Sequence, residues 1–309
     1  MVARNSDTKK SSLPARIVRA VTSVYFDLID AERVNVGRSR RRLDTLGRLI
    51  PPARGVEISK APMAGLSVEW LIPAGATGDK VLLYLHGGAY VLGSAHSHRH
   101  MVSYLARAGN VAALMPEYRL APEHPFPAAI EDAVRVFDAL LADGYAPDNI
   151  LIGGDSAGGG LAVATMLKLK EEGKPMPGAA FLLSPWLDLS ASGETMQSRA
   201  DHDPWFNAAD IPIVARYYCG DEDVTDPLVS PVYADVAGLP PVHIQVGNDE
   251  ILLSDATRLA DKLKDAGGEV DIEVFDEMWH VFQAFLLVVP ESREAIDRLG
   301  RAIRRRMED

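Results

Sequence analysis

The sequence predicts an α/β fold with a mainly parallel sheet, and three observations support that prediction. Continuous apolar runs typical of buried strands, among them residues 81–85 and 149–153, alternate with stretches of helical periodicity. The chain has 309 residues, of which 47% are hydrophobic, so it can bury a sizeable core. At residues 154–158 a glycine-rich turn, GDSAG, connects a predicted strand directly to a predicted helix. We therefore expect one large domain, residues 56–309, preceded by a helical segment, residues 1–55.

The first 55 residues are predicted to form two helical segments. In the first segment apolar residues recur at spacings of three and four, namely Ile17, Val18, Val21, Val24, Tyr25, Leu28 and Ile29. A second helical pattern runs to residue 50, where two prolines stop it. Together with an insertion at about residues 188–225, these helices are predicted to form a cap over the functional site.

A predicted strand is followed directly by His86-Gly87-Gly88. Two consecutive glycines at a strand end let backbone N–H groups turn inward without side chains in the way. Such donors stabilise the oxyanion that forms when a carbonyl group is attacked. Gly87 and Gly88 are therefore predicted to be two oxyanion donors, with Ala157 further along the chain as the third.

Ser156 lies at the corner between a predicted strand and a predicted helix, within the Gly-x-Ser-x-Gly pattern of a nucleophile elbow. Such a turn is tight enough to strain the serine backbone, and the flanking glycines let the strand and the helix approach closely. The turn lifts the hydroxyl clear of the sheet, so Ser156 is the predicted nucleophile. Asp155, next to it, is expected to hold the elbow by hydrogen bonds to nearby backbone.

A serine hydroxyl is a weak nucleophile at neutral pH and needs a histidine base that a carboxylate orients. Three histidines follow Ser156 in the chain. His243 lies inside an apolar, strand-like run and is expected to be a core residue, whereas His202 lies in a polar loop. His280 follows the alternating strand pattern at residues 270–275, where an open α/β sheet places its chemistry. His280 is therefore the predicted general base.

The predicted acid is Asp249, which comes just after the strand-like run that ends at residue 247. Asp255 and Asp276 are the alternatives, one in the next helical segment and the other only four residues before the predicted base. Glu250, adjacent to Asp249, is expected to point elsewhere.

Four aromatic side chains are candidates for binding substrate. Trp205 and Phe206 lie in the insertion and suit an acyl or alcohol pocket, although packing of the cap onto the core is an equally good interpretation for each. Tyr90 and Trp279 flank predicted catalytic positions and are the better candidates for the pocket wall.

Together these motifs resemble the hormone-sensitive-lipase-like branch of the α/β-hydrolases, and its bacterial esterases in particular. The resemblance covers about residues 56–290 and is carried by His86-Gly87-Gly88, the GDSAGG run at 154–159, Asp249, His280 and the segments 118–129 and 183–188. It implies an α/β-hydrolase fold, with a mostly parallel eight-stranded sheet flanked by helices and a helical cap. It also implies a serine carboxylesterase that acts on short- to medium-chain acyl esters through an acyl-enzyme, with Asp249 as acid and His280 as base.

The chain departs from the family pattern at two places. Ala89 stands where a third glycine is usual, although its N–H group is still available. Glu250 and Ile251 follow Asp249, where a proline-leucine pair is common.

Other functions share parts of this machinery. Lactone and amide hydrolysis use the same residues and stay open as alternatives. A non-catalytic receptor for small ligands on the same fold is the distant alternative, which the complete set of serine, aspartate and histidine disfavours.

The composition of the chain limits the kinds of partner that it is expected to bind. The formal net charge of −11 argues against nucleic acid, which needs a basic face. The lone Cys219 excludes an internal disulfide and suits a reducing cytoplasm, and no segment has the apolar length of a signal peptide or a membrane span. His96, His98 and His100 are expected to begin a helix rather than to bind a metal, and no cofactor is predicted. The expected partners are a small-molecule ester and, by analogy with relatives, a second copy of the chain packed across residues 269–307.

Overall fold

The computed structural model describes residues 3–4, 10–26 and 35–308. Within these ranges the strands are β1 (Ala3–Arg4), β2 (Val56–Met63), β3 (Leu66–Pro73), β4 (Val81–Leu85), β5 (Ala112–Pro116), β6 (Ile150–Asp155), β7 (Ala179–Leu183), β8 (Val242–Gly247) and β9 (Val270–Phe275). The α-helices are α1 (Leu13–Phe26), α2 (Val36–Leu49), α3 (Ala95–Gly109), α4 (Ala128–Ala142), α5 (Ala157–Glu171), α6 (Thr195–Ser198), α7 (Ile211–Cys219), α8 (Leu253–Asp265) and α9 (Pro290–Glu308).

The described strands form one sheet in the order β1-β9-β8-β7-β6-β4-β5-β3-β2. The strands from β4 to β9 pair with one another in parallel, whereas β3 runs antiparallel to both β2 and β5. The predicted α/β fold with a mostly parallel eight-stranded sheet is confirmed, and β1 adds a short parallel strand beside β9. Two residues are too few to show an alternating pattern, so the sequence does not predict β1.

Helices cover both faces of the central strands, and for that reason β4, β5, β6 and β7 are buried at every position. Alternate residues of one strand enter opposite layers of the core, as the two-residue repeat of a strand requires. Leu83 and Leu85 of β4 pack with residues of α4, α5 and α8, while Leu82 and Tyr84 pack with residues of α3 and α9. The two layers together hold the ends of the strands in fixed positions.

The carboxyl ends of β4, β6, β8 and β9 lie along one edge of the sheet, because these strands are parallel. The loops that follow them carry the glycine pair, the elbow serine, the acid candidates and the histidine predicted as base. Helix α5 comes very close to the end of β4 at Gly158, where a Cβ atom would overlap the Leu85 carbonyl oxygen. The fold therefore brings the separate motifs of the sequence to one place.

Helices α1 and α2 are the two that the periodicity of the N-terminal segment predicts. Helix α2 ends ahead of the two prolines, as expected, whereas Leu28 and Ile29 lie outside the described residues. Helix α1 rests on the loops at the carboxyl edge of the sheet. Ser11 and Ser12 donate hydrogen bonds of 2.6–2.9 Å to the carboxylates of Glu277 and Glu291.

The insertion at 188–225 contains α6, α7 and a 3-10 turn between them. Across the described ranges, we find no helix with the length and apolar character needed to cross a membrane.

Candidate active site

Ser156 occupies a strained turn between β6 and α5. Its φ and ψ are 53° and −126°, a region that residues with a side chain rarely adopt. Three hydrogen bonds hold it there: its N–H donates to Leu183 O (2.9 Å), and its carbonyl accepts from Gly160 N (3.1 Å) and Trp186 N (2.9 Å). The predicted nucleophile elbow is therefore present, with Ser156 at the positive end of α5.

His280 and Glu250 form a buried pair at the same edge of the sheet. His280 Nδ1 lies 2.8 Å from Glu250 Oε2, and the two side chains are 2% and 0% exposed. The other oxygen of Glu250 accepts from the Gly247 N–H group at 3.0 Å. With Nδ1 donating to the carboxylate, the imidazole keeps the lone pair of Nε2 free to accept a proton.

The structure corrects the prediction for Asp249. Its carboxylate turns away from the imidazole, and its Oδ2 accepts from Arg19 Nη1 of helix α1 at 2.5 Å. Consecutive side chains in this loop point to opposite sides, and the one that points inward is Glu250, which was expected to point elsewhere. Either carboxylate type can orient a histidine, so residue type does not distinguish the two neighbours. The missing proline-leucine pair after Asp249 is the signal that could have prompted the choice of Glu250.

The alternative acids of the sequence analysis and His243 have other surroundings. Asp255 is buried, with its Oδ2 accepting from two backbone N–H groups at 2.9 Å, and Asp276 is exposed. His243 lies between Asp271 and Glu273, at 3.2 and 3.0 Å. Burial opposes its protonation, but the two carboxylates outweigh burial and raise the pKa of His243.

The loop after β4 supplies the candidate oxyanion donors, and here the structure makes a second correction. The Gly87 N–H group donates to Asp155 Oδ1 at 3.2 Å, so it is already occupied. The N–H groups of Gly88, Ala89 and Ala157 have no hydrogen-bond acceptor among the described residues. Gly88 and Ala89 have φ values of 122° and 55°, so the loop turns sharply here. In this loop the available donors are therefore Gly88 and Ala89, and not Gly87 and Gly88 as predicted.

Asp155 links the elbow to this loop. Besides the Gly87 N–H group, its carboxylate accepts from the Tyr84 hydroxyl (2.8 Å) and contacts His98 Nε2 (3.2 Å). Burial alone would raise the pKa of Asp155, but His98 and the Tyr84 hydroxyl lower it. Asp155 thus holds the elbow as predicted, through one backbone group and two side chains.

The histidines near Asp155 do not form a metal site. Among the described residues no group of three or more His, Cys, Asp or Glu side chains could hold a metal ion. His96, His98 and His100 lie in the first turns of α3 and have separate partners. His86 stacks on Tyr118, with ring centroids 4.3 Å apart. Burial, reinforced by the charge of His98, lowers the pKa of His86 to about 3, so His86 is neutral.

Two aromatic residues of the insertion lie directly against the predicted base. The ring centroids of Phe206 and Trp205 are 4.7 and 5.9 Å from that of His280, both edge-on. The Asp203 carboxylate accepts from their backbone N–H groups at 3.2 and 2.8 Å, which fixes this turn of the insertion. They are therefore well placed to bound a pocket next to the imidazole.

Tyr90 and Trp279 are more enclosed than predicted. Trp279 is fully buried beneath α1, in a cluster with Ala15 and Phe282, so its side chain presents no surface to a substrate. Tyr90 is also buried and stacks on Tyr218 of α7 at 3.7 Å. The structure thus corrects the prediction that Trp279 lines the pocket, since this residue packs between α1 and the core. Tyr90 joins the loop after β4 to the insertion.

Comparison with known proteins gives the family. Residues 82–284 match the model of a family described by its alpha/beta hydrolase fold. An acetyl-hydrolase of Streptomyces hygroscopicus is 40% identical over 276 residues, which are 89% of this chain and 90% of the relative. Among solved structures, an esterase from the bacterial hormone-sensitive lipase family is 41% identical, with a TM-score of 0.91 and coverage of 96% of this chain and 99% of that one. The esterase EstE5, in a crystal soaked with p-nitrophenyl butyrate, is 36% identical, with a TM-score of 0.91 over 97% and 100% of the two chains. The chain therefore belongs to the α/β-hydrolase family, in its hormone-sensitive-lipase-like branch.

Proposed function

We propose that the protein is a serine carboxylesterase that hydrolyses short- to medium-chain acyl esters through an acyl-enzyme, with Ser156 as nucleophile and His280 as base. The class of reaction, hydrolysis of carboxylic esters, rests on the family and on its esterase and acetyl-hydrolase members. The residue roles rest on one observation above all, the buried 2.8 Å contact between His280 and Glu250. We assign the role of acid to Glu250 rather than to Asp249.

In the first half of the reaction, Ser156 Oγ attacks the ester carbonyl carbon while His280 Nε2 takes the hydroxyl proton. The Glu250 carboxylate stabilises the imidazolium that forms. The negative charge on the former carbonyl oxygen is stabilised by the free N–H groups of Ala157 and of the two residues after Gly87. The tetrahedral intermediate then expels the alcohol, which receives the proton from the imidazolium.

In the second half, water replaces the alcohol. The neutral imidazole of His280 removes a proton from the water as it attacks the acyl-enzyme, and a second tetrahedral intermediate forms on the same oxyanion donors. Its collapse returns the proton to Ser156 Oγ and releases the carboxylic acid. All groups that move protons thus belong to this chain, and their order of action is that of the serine hydrolases.

The apolar surroundings of the site support an ester with a hydrocarbon acyl or alcohol part. Trp205 and Phe206 cover one side of the imidazole. Such a wall excludes water from the reacting groups and strengthens their electrostatic interactions. The related EstE5 has been soaked with p-nitrophenyl butyrate, an ester with a four-carbon acyl group, which is in keeping with a short acyl chain here.

We extend the proposal to the organisation of the chain. Residues 1–55 and the insertion at 188–225 act as the cap, and residues 56–309 as the catalytic domain. We also propose a cytoplasmic location, in keeping with the lone, buried Cys219, and a homodimer formed through β9 and α9. The homodimer rests on analogy with relatives and on the place of β9 next to the end strand β1 of the described sheet.

The test is hydrolysis of p-nitrophenyl esters from acetate to palmitate, beside a panel of lactones, with Ser156→Ala as the blank. We expect turnover to peak at short to medium chains and to vanish in the variant. Strong lactone opening with weak ester turnover would keep every residue role and change the substrate class. Absence of both activities in the folded protein would contradict the proposal.

A further inference from the structure

Arg19, on the inner side of α1, forms hydrogen bonds with three separate segments of the chain. Its Nη1 donates to Asp249 Oδ2 (2.5 Å) and to Glu277 O (3.3 Å), and its Nη2 donates to His202 O (2.5 Å). The side chains of Arg19 and Asp249 are 28% and 13% exposed, so the pair is partly shielded from solvent. The reaction steps above use none of these contacts.

Two of the three segments carry the acid and the base. Asp249 immediately precedes Glu250, and Glu277 lies three residues before His280. Two backbone hydrogen bonds already join these regions, from Asn248 N–H to the carbonyl of residue 275 at 2.9 Å and from Asp249 N–H to the carbonyl of residue 278 at 3.0 Å. The guanidinium spans the same two loops from the side of the cap. It therefore helps to set the distance between loops whose side chains must meet.

The third segment bears Trp205 and Phe206, which form an aromatic wall beside the imidazole of His280. Asp203, the residue after His202, holds the backbone of Trp205 and Phe206 through its Oδ1. Its Oδ2 accepts from the Ile251 N–H group at 2.9 Å, so the same turn is attached to the loop of the acid. Arg19 provides the second attachment between this turn and that loop, since it bonds both His202 and Asp249.

We propose that Arg19 is a positioning residue, which couples the seating of α1 and of residues 202–206 to the alignment of His280 with Glu250. The inference rests on the proposed function, in which those two side chains act as base and acid. When the guanidinium bonds all three partners, the acid loop, the base loop and the aromatic wall are fixed in position relative to one another. Without it the Asp249 carboxylate loses its partner and the three segments are free to shift separately.

The contacts require a forked side chain. Arg19 reaches the two catalytic loops through Nη1 and the insertion through Nη2, from opposite ends of one planar group. A lysine ammonium can neutralise Asp249, but its donors all lie on one nitrogen. It therefore cannot bond Asp249 and the His202 carbonyl at the same time. Arg16 offers a matched control, because it lies one turn earlier on α1, is exposed, and has no side-chain hydrogen bond to any residue in the described ranges.

The experiment measures kcat and KM for p-nitrophenyl butyrate in Arg19→Gln, Arg19→Lys and Arg16→Gln, together with each melting temperature. We expect Arg19→Gln to lower kcat roughly tenfold or more, with KM changed less than about threefold. Arg19→Lys should recover part of the loss, and Arg16→Gln should stay within about twofold of the unchanged protein. Adding Asp249→Asn to Arg19→Gln should cost less than the product of the two single effects, because the residues act as a pair.

Amide hydrogen exchange supplies a readout that does not depend on turnover. In Arg19→Gln we expect faster exchange at residues 202–206, 249–251 and 277–282, and no such change in Arg16→Gln. Equal kcat in Arg19→Gln and Arg16→Gln would overturn the inference. So would a lower melting temperature with unchanged kcat, which would leave Arg19 a purely structural role, or identical losses in Arg19→Lys and Arg19→Gln. If Ser156→Ala kept full turnover, the proposed function would fail, while the exchange data would still decide whether Arg19 couples the three segments.

Discussion

The nucleophile side and the acid–base side of the site are held in place in different ways. Ser156 is fixed by its own turn, between a strand and a helix that are contiguous in the chain, and the hydrogen bonds to Leu183 and Trp186 reinforce it. His280 and Glu250 instead lie on loops 30 residues apart. Contacts from α1 and from the insertion hold those loops in position.

The difference explains which parts of the site are robust. A local turn depends on a few residue types at fixed spacing, so glycine at 158 and serine at 156 are sufficient to recognise it. Loops held by distant segments depend on every contact that spans them. We therefore expect a change in α1 or in residues 188–225 to affect the loops of Glu250 and His280 before it affects the turn of Ser156. Four sets of variants test this difference.

The largest effect should come from the nucleophile side. Ser156→Ala removes the attacking oxygen, and we expect kcat to fall by about 10³–10⁶-fold, because the residues of a triad act as a unit. The melting temperature should change little, since the backbone bonds of residue 156 do not involve the hydroxyl. Steady-state kinetics with p-nitrophenyl butyrate and a thermal scan measure both quantities. Turnover within tenfold of the unchanged protein would remove Ser156 from the mechanism.

The acid–base side should distinguish two neighbouring carboxylates. Glu250→Gln removes the charge that orients His280 and stabilises its imidazolium, and we expect kcat to fall by roughly 10²–10⁴-fold. Asp249→Asn is the matched control, a change of the same kind one residue earlier, and should cost about tenfold or less. The reverse order of effects would restore Asp249 as the acid and would contradict the geometry of the loop.

The link between the elbow and the oxyanion loop should give a smaller loss. Asp155→Asn weakens the bonds to the Gly87 N–H group and to His98, so the adjacent donors become less well fixed, and kcat should fall by about 10–10²-fold. Tyr84→Phe removes a single bond to the same carboxylate and serves as the milder control. If both variants kept full kcat, Asp155 would have no part in holding the oxyanion donors.

The smallest effect is a pH dependence of stability. Burial opposes protonation of His98, yet Asp155 outweighs it and raises the pKa of His98 above its ordinary value. A raised pKa contributes stability that is full below the unfolded value, near 6.5, and is lost as the pH rises through the folded value. His98→Gln should therefore lower the free energy of unfolding more at pH 6 than at pH 9. Urea unfolding at the two pH values tests this, and an equal loss at both would argue against a charged His98.

Much of the fold, and the strained turn that holds Ser156, could be predicted from the sequence for a physical reason. The continuous apolar runs of β4 and β6 follow from burial on both faces, and the GDSAG turn has few other uses between a strand and a helix. His280 could be chosen as the candidate base because the other two downstream histidines have other surroundings. His243 lies between carboxylates in the sheet, and His202 lies in a polar turn.

Three local features could not be predicted: which carboxylate contacts His280, that the Gly87 N–H group is occupied, and that Trp279 is buried. In each case a contact with a distant part of the chain decides. Asp249 turns outward because its carboxylate accepts a hydrogen bond from Arg19. Arg19 lies more than 200 residues earlier in the chain, so no local pattern reveals this contact. The Gly87 N–H group is occupied by Asp155, a pairing across two strands that neither local motif reveals. Trp279 is covered by α1 and its cluster, so its position beside the base does not make it accessible.

The hydrogen bonds of Asp203 have a consequence for how substrate preference can change. This carboxylate binds the backbone N–H groups of Trp205 and Phe206, not their rings. The backbone conformation of this turn thus does not depend on which side chains stand at positions 205 and 206, provided that Asp203 is kept. Successive replacements at positions 205 and 206 can enlarge, narrow or polarise the space beside the imidazole while the catalytic loops stay where they are. Substitutions in this turn, by laboratory or natural selection, can therefore change the substrate preference of the enzyme without changing the residues that carry out the reaction.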